Sequence, residues 1–283
     1  MKLDVAGDTG RRGAYAYTGG KPFDASLPTV VFVHGALHDH SVWTLPARWF
    51  AHHGHGVLAV DLPGHGRSAG PALATVEAMA DWLLALLDAA GARTASLVGH
   101  SMGSLVALQA ASRAPARARH LAMVGTAYPM VVSSALLEAA ATDPQAAIAN
   151  VNTWSHSTQA AKPSNPGPGA WLHGGNLALM RRMQAADPAT NLFLTDFQAC
   201  NGYRGGIEAA RRVKCPATIV VGRLDQMTMV KDARGLAEAL GTTPVLIEAG
   251  HALMAEAPDA VLEALRGIMA RDGTAEPHSA GSG

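Results

Sequence analysis

The sequence predicts an α/β protein with a mostly parallel central sheet flanked by helices and carrying an inserted all-helical segment. Three observations predict it. Thr29-Val30-Val31-Phe32-Val33, Gly56-Val57-Leu58-Ala59-Val60-Asp61 and Ala217-Thr218-Ile219-Val220-Val221-Gly222 are short, continuous apolar runs rich in β-branched residues, the mark of strands buried on both faces. Between the early runs lie stretches with the apolar period of helices, such as Thr75 to Ala90, so strand and helix alternate as a parallel sheet requires. From Thr126 to Arg212 the alternation stops, and the segment holds no convincing strand.

Taken in order, Gly13 to Thr18 alternates small and aromatic residues and reads as an early strand near the sheet edge, closed by the turn Gly19-Gly20-Lys21-Pro22. The run at Thr29 ends in His34-Gly35-Ala36-Leu37, which sets backbone N–H groups at the carboxyl edge of the sheet. His38, His40 and Trp43 follow as candidates for a pocket entrance, whereas Trp49-Phe50 reads as core. Leu62-Pro63-Gly64-His65-Gly66-Arg67-Ser68 is a loop by its Pro and Gly content. Gly64, Gly66 and Ala69 match a dinucleotide fingerprint in spacing, but Pro63 and Pro71 flank them and no helix opens on the glycines. Asp61 therefore reads as a carboxylate that orders the loop. Thr75 is the expected N-cap of the next helix and Gly91 its stop.

His120 to Gly125 gives one further strand. In the insertion, helical stretches at Ser133 to Ala141 and Leu177 to Gln184 are broken by Lys162-Pro163-Ser164-Asn165-Pro166-Gly167-Pro168-Gly169. With Trp154, Trp171, Met180, Met183, Phe193, Phe197 and Tyr203, this segment reads as a helical cap over the active-site edge, most of those side chains forming the cap's own core. Pro163 to Gly169 is expected to be a mobile gate. Pro244-Val245-Leu246-Ile247 is the last strand, Pro258 to Met269 the last helix, and Thr274 to Gly283 a mobile tail. The expected division is a core first part at 1–125, the cap at 126–212, a core second part at 213–271 and a flexible tail at 272–283.

Composition sets outer bounds. The chain has 283 residues, 48% of them hydrophobic, and a formal net charge of zero, as in an ordinary globular protein with a substantial core. The neutral balance and the lack of Lys or Arg runs argue against nucleic acid or an anionic membrane as partner. Met1 to Arg12 has no apolar core of the kind a signal peptide needs, and no apolar run approaches the ~18 residues of a membrane span. The expectation is a cytoplasmic protein, a monomer or homodimer. Cys200 and Cys215 form no Cys-x-x-Cys pair and read as thiols rather than a disulfide. Histidine is frequent, at 13 residues, yet neither His38-Asp39-His40 nor His52-His53-Gly54-His55 completes a metal frame. No metal and no cofactor are expected.

Gly-x-Ser-x-Gly occurs twice, and context separates the copies. Gly66-Arg67-Ser68-Ala69-Gly70 lies within the Pro-bearing loop. Gly99-His100-Ser101-Met102-Gly103 follows the apolar Leu97-Val98 and precedes Ser104 to Ala111, a helix-forming stretch without Gly or Pro. A nucleophile elbow needs that strand-to-helix context, because the sharp turn strains the serine and presses its neighbours two positions away together. Only very small residues fit there. Asp225 and His251 each sit just past a further predicted strand, in the chain order Ser, acid, His, and parallel strand ends converge on one edge.

With this elbow, the His-Gly turn, the Asp61 to Ser68 loop and the helical insertion, the chain resembles the α/β-hydrolase superfamily from about Gly13 to Arg271. The resemblance implies the α/β-hydrolase fold, with Ser101 as nucleophile, His251 as general base and Asp225 as the orienting acid. It implies oxyanion-hole donors at the backbone N–H groups of Ala36 and Met102. His38, Trp43, His100, Trp154 and Met227 are candidate pocket residues. Ser101 disfavours the relatives whose nucleophile is Asp, and Ala36-Leu37 replaces the extended Gly tract of one lipase group. The expected activity is that of a serine esterase on a small-molecule ester-like substrate. The alternatives are a carbon–carbon bond hydrolase of the meta-cleavage type and a catalytically silent ligand-binding protein.

Overall fold

A computed structural model of the protein describes residues 1–7, 10–157 and 171–271. Eight strands form one sheet: β1 (Lys2–Gly7), β2 (Gly10–Tyr17), β3 (Thr29–Val33), β4 (Gly56–Val60), β5 (Ala95–His100), β6 (Ala118–Val124), β7 (Ala217–Gly222) and β8 (Val245–Ile247). Their spatial order is β1-β2-β4-β3-β5-β6-β7-β8, with β1 and β2 antiparallel and all pairs from β4 to β8 parallel. The continuous apolar runs follow from this arrangement. In β3, Val31 and Val33 enter one apolar cluster while Val30 and Phe32 enter another on the opposite face. In β6, Leu121 and Met123 divide from Ala122 and Val124 in the same way. Alternate side chains point to opposite faces, and both faces here are covered.

The helices that cover them are α1 (Thr44–His52), α2 (Val76–Ala89) and α3 (Met102–Arg113), then α4 (Ser134–Thr142), α5 (Pro144–Ser155), α6 (Leu172–Ala185) and α7 (Leu192–Gly202) between β6 and β7. They are followed by α8 (Gly206–Arg212), α9 (Arg234–Leu240), the single turn α10 (Leu253–Glu256) and α11 (Pro258–Met269). The Thr75 hydroxyl accepts the Ala78 N–H at 3.1 Å, and Gly91 beyond the helix end has φ +71°, so the expected start and stop of α2 are where the chain places them. Pro258 and Met269 bound the last helix as expected. Among the described residues, no helix is long and apolar enough to cross a membrane.

Among the described residues the insertion is helical, and α4 to α7 enclose a third apolar cluster that includes Ile148, Met180, Met183, Phe193 and Phe197. Tyr203, Ala209 and Ala210 join the main cluster instead, and α8 packs on α3. The expected gate at Pro163 to Gly169 and the tail at 272–283 lie outside the described residues. Cys200 is buried and Cys215 half-buried, both as thiols. Burial pushes the Cys215 thiol up to about 11.

The tightest packing in the sheet lies around β5. A Cβ on Gly103 would stand 2.4 Å from the carbonyl oxygens of both Val33 and His34. Gly103→Ala is expected to cost at least about 3 kcal/mol, since backbone must move to admit the methyl. The exposed Gly267 of α11 has nothing within 4 Å of its virtual Cβ, and Gly267→Ala should instead stabilise by about 1 kcal/mol. Urea unfolding of the two variants checks both signs.

Candidate active site

Ser101 stands between β5 and α3 with φ 52° and ψ −119°, a left-handed backbone that a serine holds only where its surroundings over-determine it. The crowding predicted from the motif is present. A Cβ on Gly99 would lie 2.0 Å from the Gly103 carbonyl oxygen. The Ser101 N–H donates to the Val124 carbonyl at 2.9 Å, and the Ser104 N–H and hydroxyl donate to the Ser101 carbonyl at 2.9 and 2.5 Å. The Ser101 side chain is half-buried, and its hydroxyl makes no hydrogen bond among the described residues. The second Gly-x-Ser-x-Gly copy is a structural loop, in which the Ser68 hydroxyl donates to the Asp61 carbonyl at 2.6 Å and accepts the Tyr15 N–H at 2.9 Å.

Asp225 and His251 come together because the segments after β7 and β8 are zipped to each other. The N–H groups of Arg223 and Leu224 donate to the carbonyls of Ile247 and Ala249 at 2.8 and 3.0 Å. His251 Nδ1–H then donates to Asp225 Oδ2 at 2.8 Å. Thr228 Oγ1 donates to the same oxygen at 2.7 Å and lies 3.1 Å from His251 Nδ1. Asp225 Oδ1 accepts the N–H groups of Met227 and Thr228, both at 2.8 Å. Burial alone would raise the Asp225 carboxyl, but His251 and these donors hold it below its ordinary value. It is therefore ionised near neutral pH. His251 Nε2 has no hydrogen-bond partner among the described residues, and the ring lines a cavity.

The His-Gly turn packs against the elbow, since a Cβ on Gly35 would lie 3.1 Å from the Ser101 Cβ. His34 Nδ1–H donates to the Gly35 carbonyl at 2.8 Å, and its Nε2 accepts the Leu62 N–H at 3.0 Å. Burial, with His65 nearby, pushes His34 down to about 4, so the neutral ring serves as one donor and one acceptor. The N–H groups of Ala36 and Met102 have no hydrogen-bond partner among the described residues.

The cavity beside His251 has a volume of about 230 Å³ and is walled by His38, Leu45, His100, Asn176 and Met254 among others. His100 Nε2–H donates to the His251 carbonyl at 2.9 Å. His38 Nε2–H donates to Asn176 Oδ1 at 2.7 Å, Asn176 Nδ2 donates to Asn152 Oδ1 at 2.8 Å, and Asn152 Nδ2 donates to the His173 carbonyl at 3.1 Å. Burial lowers both His38 and His100 below the ordinary imidazole value, His100 well below it. Both are neutral walls.

Of the other expected pocket residues, Trp43 is fully buried in the core with its ring 5.2 Å from that of Phe32, because the turn after β3 directs its large apolar ring onto the sheet. Trp154 is 41% exposed on the solvent side of α5 and does not line the cavity. Met227 packs against the insertion, with the Ser155 hydroxyl donating to its sulfur at 3.2 Å, and also falls outside the cavity wall. Ser101 is not part of that wall, whereas its neighbour His100 is.

Asp39, His40 and Asp61 bring ligand-type atoms within 4.8 Å of one another. Their oxygens are already engaged. Asp61 Oδ1 accepts from the N–H and Nδ1 of His40, both at 2.7 Å, and Oδ2 from the Arg67 N–H at 2.9 Å. Asp39 accepts from Ser41 and from Arg182. Asp61 thus orders its loop, as its position after β4 implies.

Sequence reasoning missed Thr228, Asn176 and Asp196. Thr228 follows Asp225 by three residues, an offset that signals a side-chain-bonded turn. Asn176 and Asp196 carry no local signal for the loop groups they hold, because His38 and Leu37 lie more than a hundred residues away.

A family model described as the alpha/beta hydrolase family matches residues 30–264, and the chain belongs to that family. It is 31% identical to the pimeloyl-[acyl-carrier protein] methyl ester esterase of Chromobacterium violaceum over 227 residues, 75% of this chain and 82% of that protein. It is 40% identical to the dihydrolipoyllysine-residue acetyltransferase component of the acetoin cleaving system of Cupriavidus necator, over 41% of this chain and only 29% of that protein. The crystal structure of the enol-lactonase from Burkholderia xenovorans LB400 has a similar fold, with a TM-score of 0.79 at 22% identity over 95% of this chain and 100% of that one. The family and its esterase relatives support a hydrolase.

One polar contact beside the site sets a pH dependence. His65 Nε2–H donates to Asp196 Oδ2 at 2.9 Å and Nδ1–H to the Pro63 carbonyl at 3.1 Å. Burial opposes the charge, but Asp196, with Asp61 adding to it, raises the imidazole above 6.5. His34, whose ring is 4.8 Å away, is neutral. A histidine raised on folding stabilises fully below its unfolded value and loses that contribution as pH climbs through the folded value. His65→Gln is therefore expected to lower Tm more at about pH 6 than at about pH 9, as thermal unfolding at both pH values will show.

Proposed function

We propose that the protein is a serine hydrolase that cleaves a small carboxylic ester through an acyl-enzyme. The observation that carries this reading is the buried Asp225–His251 pair, bonded at 2.8 Å, on the same sheet edge as a serine with a left-handed backbone between a parallel strand and a helix. Ser101 is the nucleophile, His251 the base, and Asp225 the carboxylate that fixes the imidazole tautomer.

In the first half-reaction Ser101 Oγ bonds to the ester carbonyl carbon as its proton passes to His251 Nε2. The carbonyl electron pair moves onto oxygen, to which the N–H groups of Ala36 and Met102 donate hydrogen bonds; each such donor contributes about 3 kcal/mol in comparable sites. Collapse of the intermediate breaks the bond to the leaving alkoxide, and the imidazolium returns the proton to it. Water then gives a proton to His251 and adds to the acyl carbon, releasing the acid and restoring Ser101. A cavity of about 230 Å³ supports a short acyl or alcohol group. The insertion acts as a cap above this edge.

Ser101→Ala is expected to abolish both ester turnover and labelling by a fluorophosphonate, while Asp225→Asn keeps the geometry with the wrong tautomer and lowers kcat by about 10⁴-fold. A panel of short esters, lactones and vinylogous diketones, read by product formation, checks the substrate class. Persisting turnover in Ser101→Ala, or none by the native protein on any ester, would reject this function.

A further inference from the structure

Leu37, the residue after the oxyanion donor Ala36, has φ 55°, a left-handed conformation that an L side chain holds only where contacts impose it. The turn is closed locally by the His38 N–H, which donates to the Gly35 carbonyl at 3.3 Å, and two contacts from the insertion hold it further. The Leu37 side chain is fully buried in the insertion's apolar cluster, with Ile148, Phe193 and Phe197. The Leu37 N–H donates to Asp196 Oδ2, on α7, at 2.9 Å. That same oxygen accepts His65 Nε2–H at 2.9 Å from the loop after β4. Asp196 is wholly buried, and its other oxygen has no partner among the described residues. On its other side the turn is fixed by Gly35, whose α-carbon packs against Ser101. Ala36 is held between these two anchors, with its N–H unengaged.

We propose that Asp196 is a positioning residue for the oxyanion hole: by holding the Leu37 N–H, a carboxylate of the insertion aims the Ala36 N–H at the reacting carbonyl oxygen. This rests on the serine-hydrolase reading above. The insertion then completes the catalytic machinery as well as enclosing it, and its seating acts on the transition state more than on the bound ester. Asp196 touches no substrate. Its effect passes through the peptide joining Ala36 to Leu37.

The test compares Asp196→Ala and Asp196→Asn in the full chain, using a short ester as substrate and a small alkylboronic acid as a tetrahedral analogue. Asp196→Ala is expected to lower kcat about 100-fold with KM nearly unchanged, and to weaken boronic acid binding by a similar factor. Asp196→Asn retains a carbonyl oxygen that accepts the Leu37 N–H and should stay within about fivefold of the native kcat. A purely structural role predicts a lower Tm in Asp196→Ala with native kcat and analogue affinity well below that temperature, and this result overturns the proposal. If Asp196→Ala does not fold, the similarly shaped Asp196→Leu carries the test: it removes both carboxylate oxygens while filling the buried site, and kcat should fall by a similar factor at unchanged KM; a native kcat there overturns the proposal. Turnover by the native protein with no loss in Asp196→Ala rejects the positioning role alone, whereas no ester turnover by the native protein rejects both readings.

Discussion

The contact on which the site depends is between two pieces of backbone, the α-carbon of Gly99 and the carbonyl of Gly103, which meet where any side chain would collide. That approach lets the chain leave β5 and enter α3 within a single residue, and it forces Ser101 to φ 52°. The strain is held by what lies around it. β5 is hydrogen-bonded on both sides, to β3 and β6, and α3 lies across the sheet with Leu105, Val106 and Leu108 buried. A serine displaced from this turn would have to break a strand pairing or unseat a helix, so the fold as a whole sets the position of one hydroxyl.

Electrostatics around that hydroxyl is sorted by hydrogen-bond partners rather than by burial alone. His65 and His100 are enclosed and His38 half-buried, yet burial lowers His38 and His100 whereas His65 is raised. The difference lies in what each nitrogen faces. His65 donates from both nitrogens, one to a carboxylate, which stabilises the cation. His38 and His100 each donate once, to an amide and to a carbonyl oxygen. The two histidines next to His251 are thus held toward the neutral form, while the one raised toward its charged form faces Asp196 of the insertion.

Much of this was legible in the chain, for reasons that separate cleanly. Strands buried on both faces announce themselves as unbroken apolar runs, and the elbow by its glycines, because a close approach admits no other residue. β1 carries no periodic signal, because only Val5 of its six residues is buried. Trp43 reads as a pocket candidate because aromatic residues after a strand end serve either a core or a site, and the direction of the ring is a tertiary fact. Asp196 gives no sign of itself between Phe193 and Phe197, which read as the insertion's own core and lie in its apolar cluster. A polar residue between them has meaning only once its distant donors are known.

Those distant donors show how insertion and sheet are joined. Beside apolar contacts such as those of Leu37 and Met227, polar crossings sit on the loops that carry the candidate chemistry. Asp196 and Asn176 hold Leu37 and His38 after β3, Asp196 also holds His65 after β4, and Arg182 pairs with Asp39 at 2.7 Å. After β8, Glu256 accepts the N–H groups of Gly250 and Ser157 at 3.0 and 3.2 Å, and the Ala252 N–H donates to the Ser155 carbonyl at 2.8 Å. A lid resting on apolar contact alone can slide without disturbing what it covers, since such contact is non-directional. Hydrogen bonds to buried groups have fixed geometry and are costly to leave unmade. Displacement of α6 or α7 therefore pulls on the turn beside Ala36, and displacement of the end of α5 pulls on the loop that bears His251. In this fold the helices above the sheet edge and the groups on that edge share one set of constraints.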